Sequence, residues 1–129
     1  MDVKFAYTGI RVKDLEASVQ FYTTVLGMHE VARFTQPATQ GTVVILMRQG
    51  NDHQLELNYY PKGSRFDTPY AAGEELDHLG FETMDLDAVL AEAKKAGHPA
   101  VLEMRDPQHR WAYIRDPNGI WVEFFVPPS

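Results

Sequence analysis

Four residues of ligand or acid–base type stand on strand-like stretches of this 129-residue chain: Tyr7, Glu56, His78 and Glu123. Side chains alternate between the two faces of a strand. That alternation puts Phe5, Tyr7, Gly9 and Arg11 on one face of the first stretch, and Gln54, Glu56, Asn58 and Tyr60 on one face of a later one. It likewise groups His78, Gly80 and Glu82, and groups Trp121, Glu123 and Phe125, the last opposite an apolar set, Val122, Phe124 and Val126. Glu123 is the most informative of the four. A carboxylate sharing a face with Trp121 and Phe125 is costly to desolvate unless a metal, a cation or hydrogen bonds compensate it. The chain has no cysteine, so a metal would be held by oxygen and imidazole donors, which suit Zn, Ni, Co, Mn or Fe(II). An ion with open positions would polarise a bound carbonyl as a Lewis acid. The plainer reading of the same residues stands beside this one: a Glu in an apolar strand is often an exposed edge residue, and a strand His is often a hydrogen-bonded structural one.

The elements that must position these residues are written twice. Tyr7-Thr8-Gly9-Ile10-Arg11-Val12-Lys13-Asp14-Leu15 has a counterpart 71 positions later in His78-Leu79-Gly80-Phe81-Glu82-Thr83-Met84-Asp85-Leu86, with Gly9 matching Gly80 and Asp14-Leu15 matching Asp85-Leu86. Helical spacing follows in each copy, at Leu15, Val19, Tyr22 and Leu26 and at Leu86, Val89, Leu90 and Ala93, with Gly27 and Gly97 placed as helix-ending glycines. Strands are predicted near 29–36, 42–48 and 53–60 in the first half and near 100–105, 110–115 and 120–126 in the second, with a turn at Asp116-Pro117-Asn118-Gly119. Leu55, Leu57 and Tyr59 read as the helix-packed face of their strand. The predicted fold class is α+β, two tandem βαβββ modules at about 3–60 and 77–126 in one domain. The linker 61–76 shows neither period. A module this small needs its partner to bury a core, within one chain or across a dimer. Tyr7 and His78 begin their modules and Glu56 and Glu123 sit on their last strands, so the four fall at two pairs of equivalent positions.

Composition narrows the classes further. Twelve Lys and Arg against eighteen Asp and Glu give a net charge of −6, which argues against nucleic acid as a partner. The longest apolar run, Val43 to Met47, is far short of the roughly twenty residues of a membrane span, and the start lacks a signal-peptide core, so a cytoplasmic protein with no membrane partner is expected. Without Cys there is neither disulfide nor thiolate nucleophile. Walker, G-x-G-x-x-G and G-x-S-x-G motifs are absent. His29, His53, His98 and His109 have no repeat partner and are predicted at the surface or in loops.

Ile10-Arg11-Val12-Lys13-Asp14-Leu15-Glu16, then Phe21-Tyr22 and Val25-Leu26-Gly27-Met28, resemble the first-module signature of the vicinal oxygen chelate superfamily, its glyoxalase I branch most of all. Leu55-Glu56-Leu57, Asp77-His78-Leu79-Gly80-Phe81 and Val122-Glu123-Phe124 resemble its metal strands. The resemblance implies paired modules forming a cupped mixed sheet with helices on the convex face, a homodimer, and a divalent metal in the cup. Glyoxalase I-like members carry His, Glu, His and Glu at the metal positions. Glu56, His78 and Glu123 match, whereas Tyr7 stands in place of the first His, and a neutral phenol is a poorer ligand than imidazole. Arg11 matches a position that holds a glutathione carboxylate in the family, a task suited to a guanidinium fork. Tyr60 replaces an Asn that helps to hold glutathione, which leaves that thiol cofactor open.

The function implied is a metal-dependent lyase or isomerase of the glyoxalase type acting on a small oxygenated carbonyl substrate. Glu56, His78, Glu123 and Tyr7 would form the metal set, Glu56, Glu123 and Tyr7 the catalytic groups, and Arg11, Asn58, Tyr60, Trp121 and Phe125 the substrate walls. One Glu would move a proton beside the carbonyl while the metal stabilises an enediolate. A metal-free binding protein resembling the bleomycin-resistance members, with stacking walls from Tyr7, Tyr60, Trp121 and Phe125, is the alternative. An Fe(II) ring-cleaving dioxygenase is a third, against which Tyr7 counts.

Overall fold

The computed structural model describes residues 1–117 and 119–128. The chain runs β1 (Lys4–Arg11), α1 (Leu15–Gln20), a π turn (Phe21–Val25), β2 (His29–Thr35), β3 (Thr42–Met47), β4 (Gln54–Tyr59), β5 (Leu76–Glu82), α2 (Leu86–Lys95), β6 (Leu102–Arg105), β7 (Arg110–Arg115) and β8 (Trp121–Phe125). Strand, helix and three strands therefore occur twice, the βαβββ pattern read from the sequence. Contacts divide the chain into two compact units, Tyr7–Asp77, and Met1–Ala6 with the chain from His78 on. The linker 61–76 belongs to the first, and the first six residues to the second.

The duplicated Asp-Leu pair has a local physical cause. Asp14 and Asp85 each cap a helix, their Oδ1 atoms accepting from Ala17 N and Ala88 N at 3.0 Å, so each satisfies an orphan donor of the first turn. α2 ends in a Schellman motif. His98 N donates to Ala93 O at 2.9 Å and Gly97 N to Lys94 O at 3.0 Å, and Gly97 holds the positive φ of 96° that this ending requires.

In the Tyr7–Asp77 unit the strands lie in the order β2-β3-β4-β1, with β4 parallel to β1 and the other pairs antiparallel. Leu15, Val19 and Tyr22 pack with Ile10, Val12 and Leu55 on fully buried Val44, Leu46 and Leu57, each burial contributing about 1.5–3 kcal/mol. Two sequence expectations need correction here. Helical spacing puts Leu26 on the packed stripe, yet it is 46% exposed, because the helix widens after Gln20 and Leu26 N reaches back five residues to Phe21 O. The extra residue in that turn rotates Leu26 off the apolar phase. Tyr59, grouped with Leu55 and Leu57, lines a cavity at the end of β4 rather than joining that core.

In the second unit the order is β5-β8-β7-β6, with β8 parallel to β5 and the remaining pairs antiparallel. Leu86 and Val89 of α2 close on Ala112 and Phe124, with Phe81, Leu90, Val122 and Val126 around them. The predicted turn before β8 is closed by Gly119 N to Asp116 O at 3.0 Å and Ile120 N to Asp116 Oδ1 at 2.8 Å; Asn118 lies outside the described residues. No helix among the described residues is long and apolar enough to cross a membrane.

Candidate active site

The same register places the ligand-type residues in both units. In the second, parallel pairing sets His78 opposite Trp121 and Gly80 opposite Glu123. His78 and Glu123 thus share one face on a diagonal between neighbouring strands. In the first, Tyr7 lies opposite Gln54 and Gly9 opposite Glu56, which is the same diagonal. The duplicated glycine now has a reason: at each copy the residue directly across from the carboxylate has no side chain, so the carboxylate has room on its face.

The second-unit pair is the better described. His78 is 5% and Glu123 8% exposed, and His78 Nε2 lies 3.9 Å from Glu123 Oε2. Tyr113 of β7, in register with Glu123 from the other side, donates its hydroxyl to Glu123 Oε1 at 3.4 Å. Its ring meets His78 edge-on at 5.9 Å and Trp121 edge-on at 5.5 Å. The Arg115 guanidinium covers Trp121 at 4.2 Å. Tyr113 was not singled out in the sequence, although counting antiparallel partners outward from the turn at 116–119 brings it against Glu123.

The first unit carries a different chemistry at matching positions. Tyr7 is 8% exposed, and Ile45 takes the place across from Glu56 that Tyr113 has across from Glu123. Asn58 is buried, and its amide donates to Ile10 O at 3.3 Å, so it braces β1 to β4. Tyr60 donates its hydroxyl to Asp77 Oδ2 at 2.5 Å. Burial, with the Asp77 charge second, pushes its phenol well above the ordinary value and keeps it neutral. Gly41 permits this packing: a Cβ there would stand 2.9 Å from the Tyr60 ring. Arg11 donates to Thr68 Oγ1 (2.8 Å), Thr68 O (2.7 Å) and Phe66 O (3.2 Å). Its guanidinium lies over Tyr60 and Tyr70. Arg11 N also donates to Glu75 O at 2.7 Å, so Arg11 and Tyr60 fold the linker into a strap. Of the remaining histidines, His29, His53 and His109 are exposed and His98 is half-buried.

Among the described residues no three His, Asp or Glu side chains are set together as a metal cage. The His78 and Glu123 pair nevertheless offers donors of suitable type. Its 3.9 Å separation is too long for a direct hydrogen bond and near the roughly 3–4 Å between two donors that each bind one ion at about 2.0–2.2 Å. The Tyr113 hydroxyl orients the carboxylate as outer-shell partners of metal ligands do.

Comparisons with known proteins agree with this layout. Residues 4–124 match the family described as the Glyoxalase/Bleomycin resistance protein/Dioxygenase superfamily. The uncharacterized protein YwbC of Bacillus subtilis is 30% identical over 131 residues, covering 97% of this chain and 98% of that one. A lactoylglutathione lyase of Pseudomonas aeruginosa is 31% identical over 140 residues, covering 92% of this chain and 80% of its own. Among solved structures, methylmalonyl-CoA epimerase from Mycobacterium tuberculosis superposes with a TM-score of 0.78 at 20% identity, covering 97% of this chain and 88% of that one, a likeness of fold. The chain belongs to the Glyoxalase/Bleomycin resistance protein/Dioxygenase superfamily, the vicinal oxygen chelate proteins.

Proposed function

We propose that this protein is a glyoxalase-like lyase or isomerase that moves a proton on the carbon beside a carbonyl, with Glu56, His78 and Glu123 as the protein ligands of a divalent ion. The observation that carries the reading is the repeated diagonal: a carboxylate on the last strand of each unit, across from glycine, beside the ligand-type residue of the parallel strand. The relatives' names support the same chemistry. Inverting a carbon in methylmalonyl-CoA requires a proton to leave and return beside a carbonyl, and lactoylglutathione lyase acts on an oxygenated thiol conjugate.

The bound ion would supply Lewis-acid stabilisation of negative charge developing on the substrate oxygen. The chain's own residues do the rest. In this reading Glu123, to which the Tyr113 hydroxyl donates, is the permanent ligand, and Glu56, beside Tyr7 on the same diagonal, is the carboxylate that takes and returns the proton. Tyr7, buried on the same face as Glu56, donates a hydrogen bond to the substrate oxygen or completes the ligand set. Trp121 and Phe125 share the face of Glu123 and exclude water. The working form is proposed as a homodimer.

The test is solvent exchange. Candidate carbonyl substrates incubated in D2O with protein loaded with Ni, Zn, Co, Mn or Fe(II) should incorporate deuterium beside the carbonyl, and Glu56→Gln should stop this while one ion per chain remains bound. Exchange unaffected by Glu56→Gln would sink the assignment of the base.

A further inference from the structure

Arg115 stands in the same row of the second unit as His78: parallel pairing sets His78 against Trp121, and antiparallel pairing sets Trp121 against Arg115. Alternation along β7 puts Arg115 on the face of Tyr113, which is in register with Glu123. We propose that Arg115 is a specificity-determining residue of this site, binding a carboxylate at the remote end of the substrate. This rests on the reading of His78 and Glu123 as the place where the substrate carbonyl is bound.

The side chain is positioned but not neutralised. Its guanidinium lies over the Trp121 ring, 4.2 Å from the centroid, and a guanidinium packed on an aromatic face keeps its in-plane N–H donors for a second partner. One terminal nitrogen donates to Gly119 O at 3.3 Å, a long bond, and the group makes no ion pair with a carboxylate among the described residues. Asp116, next in the chain, turns its Oδ1 to Ile120 N at 2.8 Å. His98 Nδ1 donates to Arg115 O at 3.1 Å and pins the end of the strand from which the side chain rises. Arg110, on the opposite face of the same strand, is a contrast, since it is ion-paired to Asp87 at 2.5 Å. Arg115 is exposed, so an incoming anion has no protein carboxylate to displace.

The repeat shows that the fold itself does not require this charge. Ile45 holds in the first unit the place that Tyr113 holds in the second, and two residues further on the first unit has Met47 where the second has Arg115. The spacing then selects the ligand. His78 and Arg115 are two strand spacings apart, roughly 10 Å between backbones, with Trp121 between them. A carbonyl compound bound at His78 and Glu123 reaches the guanidinium only by extending across Trp121, so the anion must lie several bonds from the reacting carbon. A carboxylate matches the planar fork and is met by two parallel N–H donors, and the methylenes that separate it from the carbonyl rest on apolar surface of the indole.

The experiment is tryptophan fluorescence titration of chelator-treated protein with 5-oxohexanoate, its methyl ester and acetate, each at low and high salt. The keto acid should bind roughly three- to tenfold tighter than the ester at low salt, with the margin shrinking as salt rises, and acetate should bind more weakly than the keto acid. Arg115→Gln should erase the margin while leaving ester affinity unchanged, and Arg115→Lys, which keeps the charge but not the fork, should restore part of it. Equal binding of acid and ester by the wild type, or an unchanged margin in Arg115→Gln, would overturn the assignment. Acetate binding as tightly as the keto acid would overturn the remote placement of the carboxylate. Deuterium exchange into both ketones by the metal-loaded protein keeps the two readings apart: a binding margin without exchange contradicts the lyase reading alone, and exchange without a margin contradicts the role of Arg115 alone.

Discussion

Removing one oxygen from Tyr113 isolates the brace on Glu123. Tyr113→Phe keeps the ring, and with it the edge contacts to His78 and Trp121 at 5.9 and 5.5 Å. It deletes only the hydroxyl that donates to Glu123 Oε1. A hydrogen bond to a charged acceptor is worth about 1.5–3 kcal/mol, but at 3.4 Å this one is longer than the ordinary range and falls near the low end, about 1–1.5 kcal/mol. That corresponds to about five- to tenfold in affinity for an ion held by Glu123, the lower edge of what outer-shell changes cost metal sites. A competition titration between the protein and a chromophoric chelator measures it, with thermal melting as the control for folding. Unchanged metal affinity in Tyr113→Phe, beside a Glu123→Ala variant that has lost the ion, would refute the brace. A loss shared equally by melting temperature would show that the hydroxyl serves the fold instead.

Tyr7→His supplies the imidazole that glyoxalase I-like members carry at this position and should tighten metal binding on the order of tenfold or more, at least what an outer-shell change is worth, in the same titration. Tyr60→Phe takes the phenol from Asp77 and should cost about 1–2 kcal/mol, read as a lower urea midpoint. Because the folded phenol titrates above its unfolded value near 10, its contribution is present below that pH and is lost as pH rises further. The wild type should therefore lose stability above pH 10 more steeply than Tyr60→Phe. Gly41→Ala drives a Cβ to 2.9 Å from the Tyr60 ring and should destabilise by about 1–3 kcal/mol, with greater proteolytic sensitivity confined to 61–76.

The sequence revealed most where a short-range rule acts. Period-2 alternation was enough to group Glu123 with Trp121 and Glu56 with Asn58, because a strand leaves each side chain only two directions. The Asp-Leu repeats and Gly97 were legible for a similar reason, each answering to unsatisfied groups within one helical turn. Tyr113 required a pairing register counted through a turn. The strap was unreadable because nothing periodic holds it: its shape comes from Arg11 and Tyr60, whose partners are 55 to 57 and 17 positions away in sequence. Position and type alone predict both as substrate groups. In the structure Arg11 gives its two terminal nitrogens to the strap, and Tyr60 gives its hydroxyl to Asp77 and its ring to the cavity. Leu26 shows the other limit, since a π turn is a local accident that 3.6-residue spacing cannot anticipate.

Metal content tests the account most directly. Tag-free protein, stripped with a chelator and dialysed in turn against Ni, Zn, Co, Mn and Fe(II), is measured by plasma emission spectrometry beside Glu123→Ala. The account predicts one divalent ion retained per chain of wild type and none in the variant. No ion retained under any of the five conditions, or equal retention by Glu123→Ala, would contradict it.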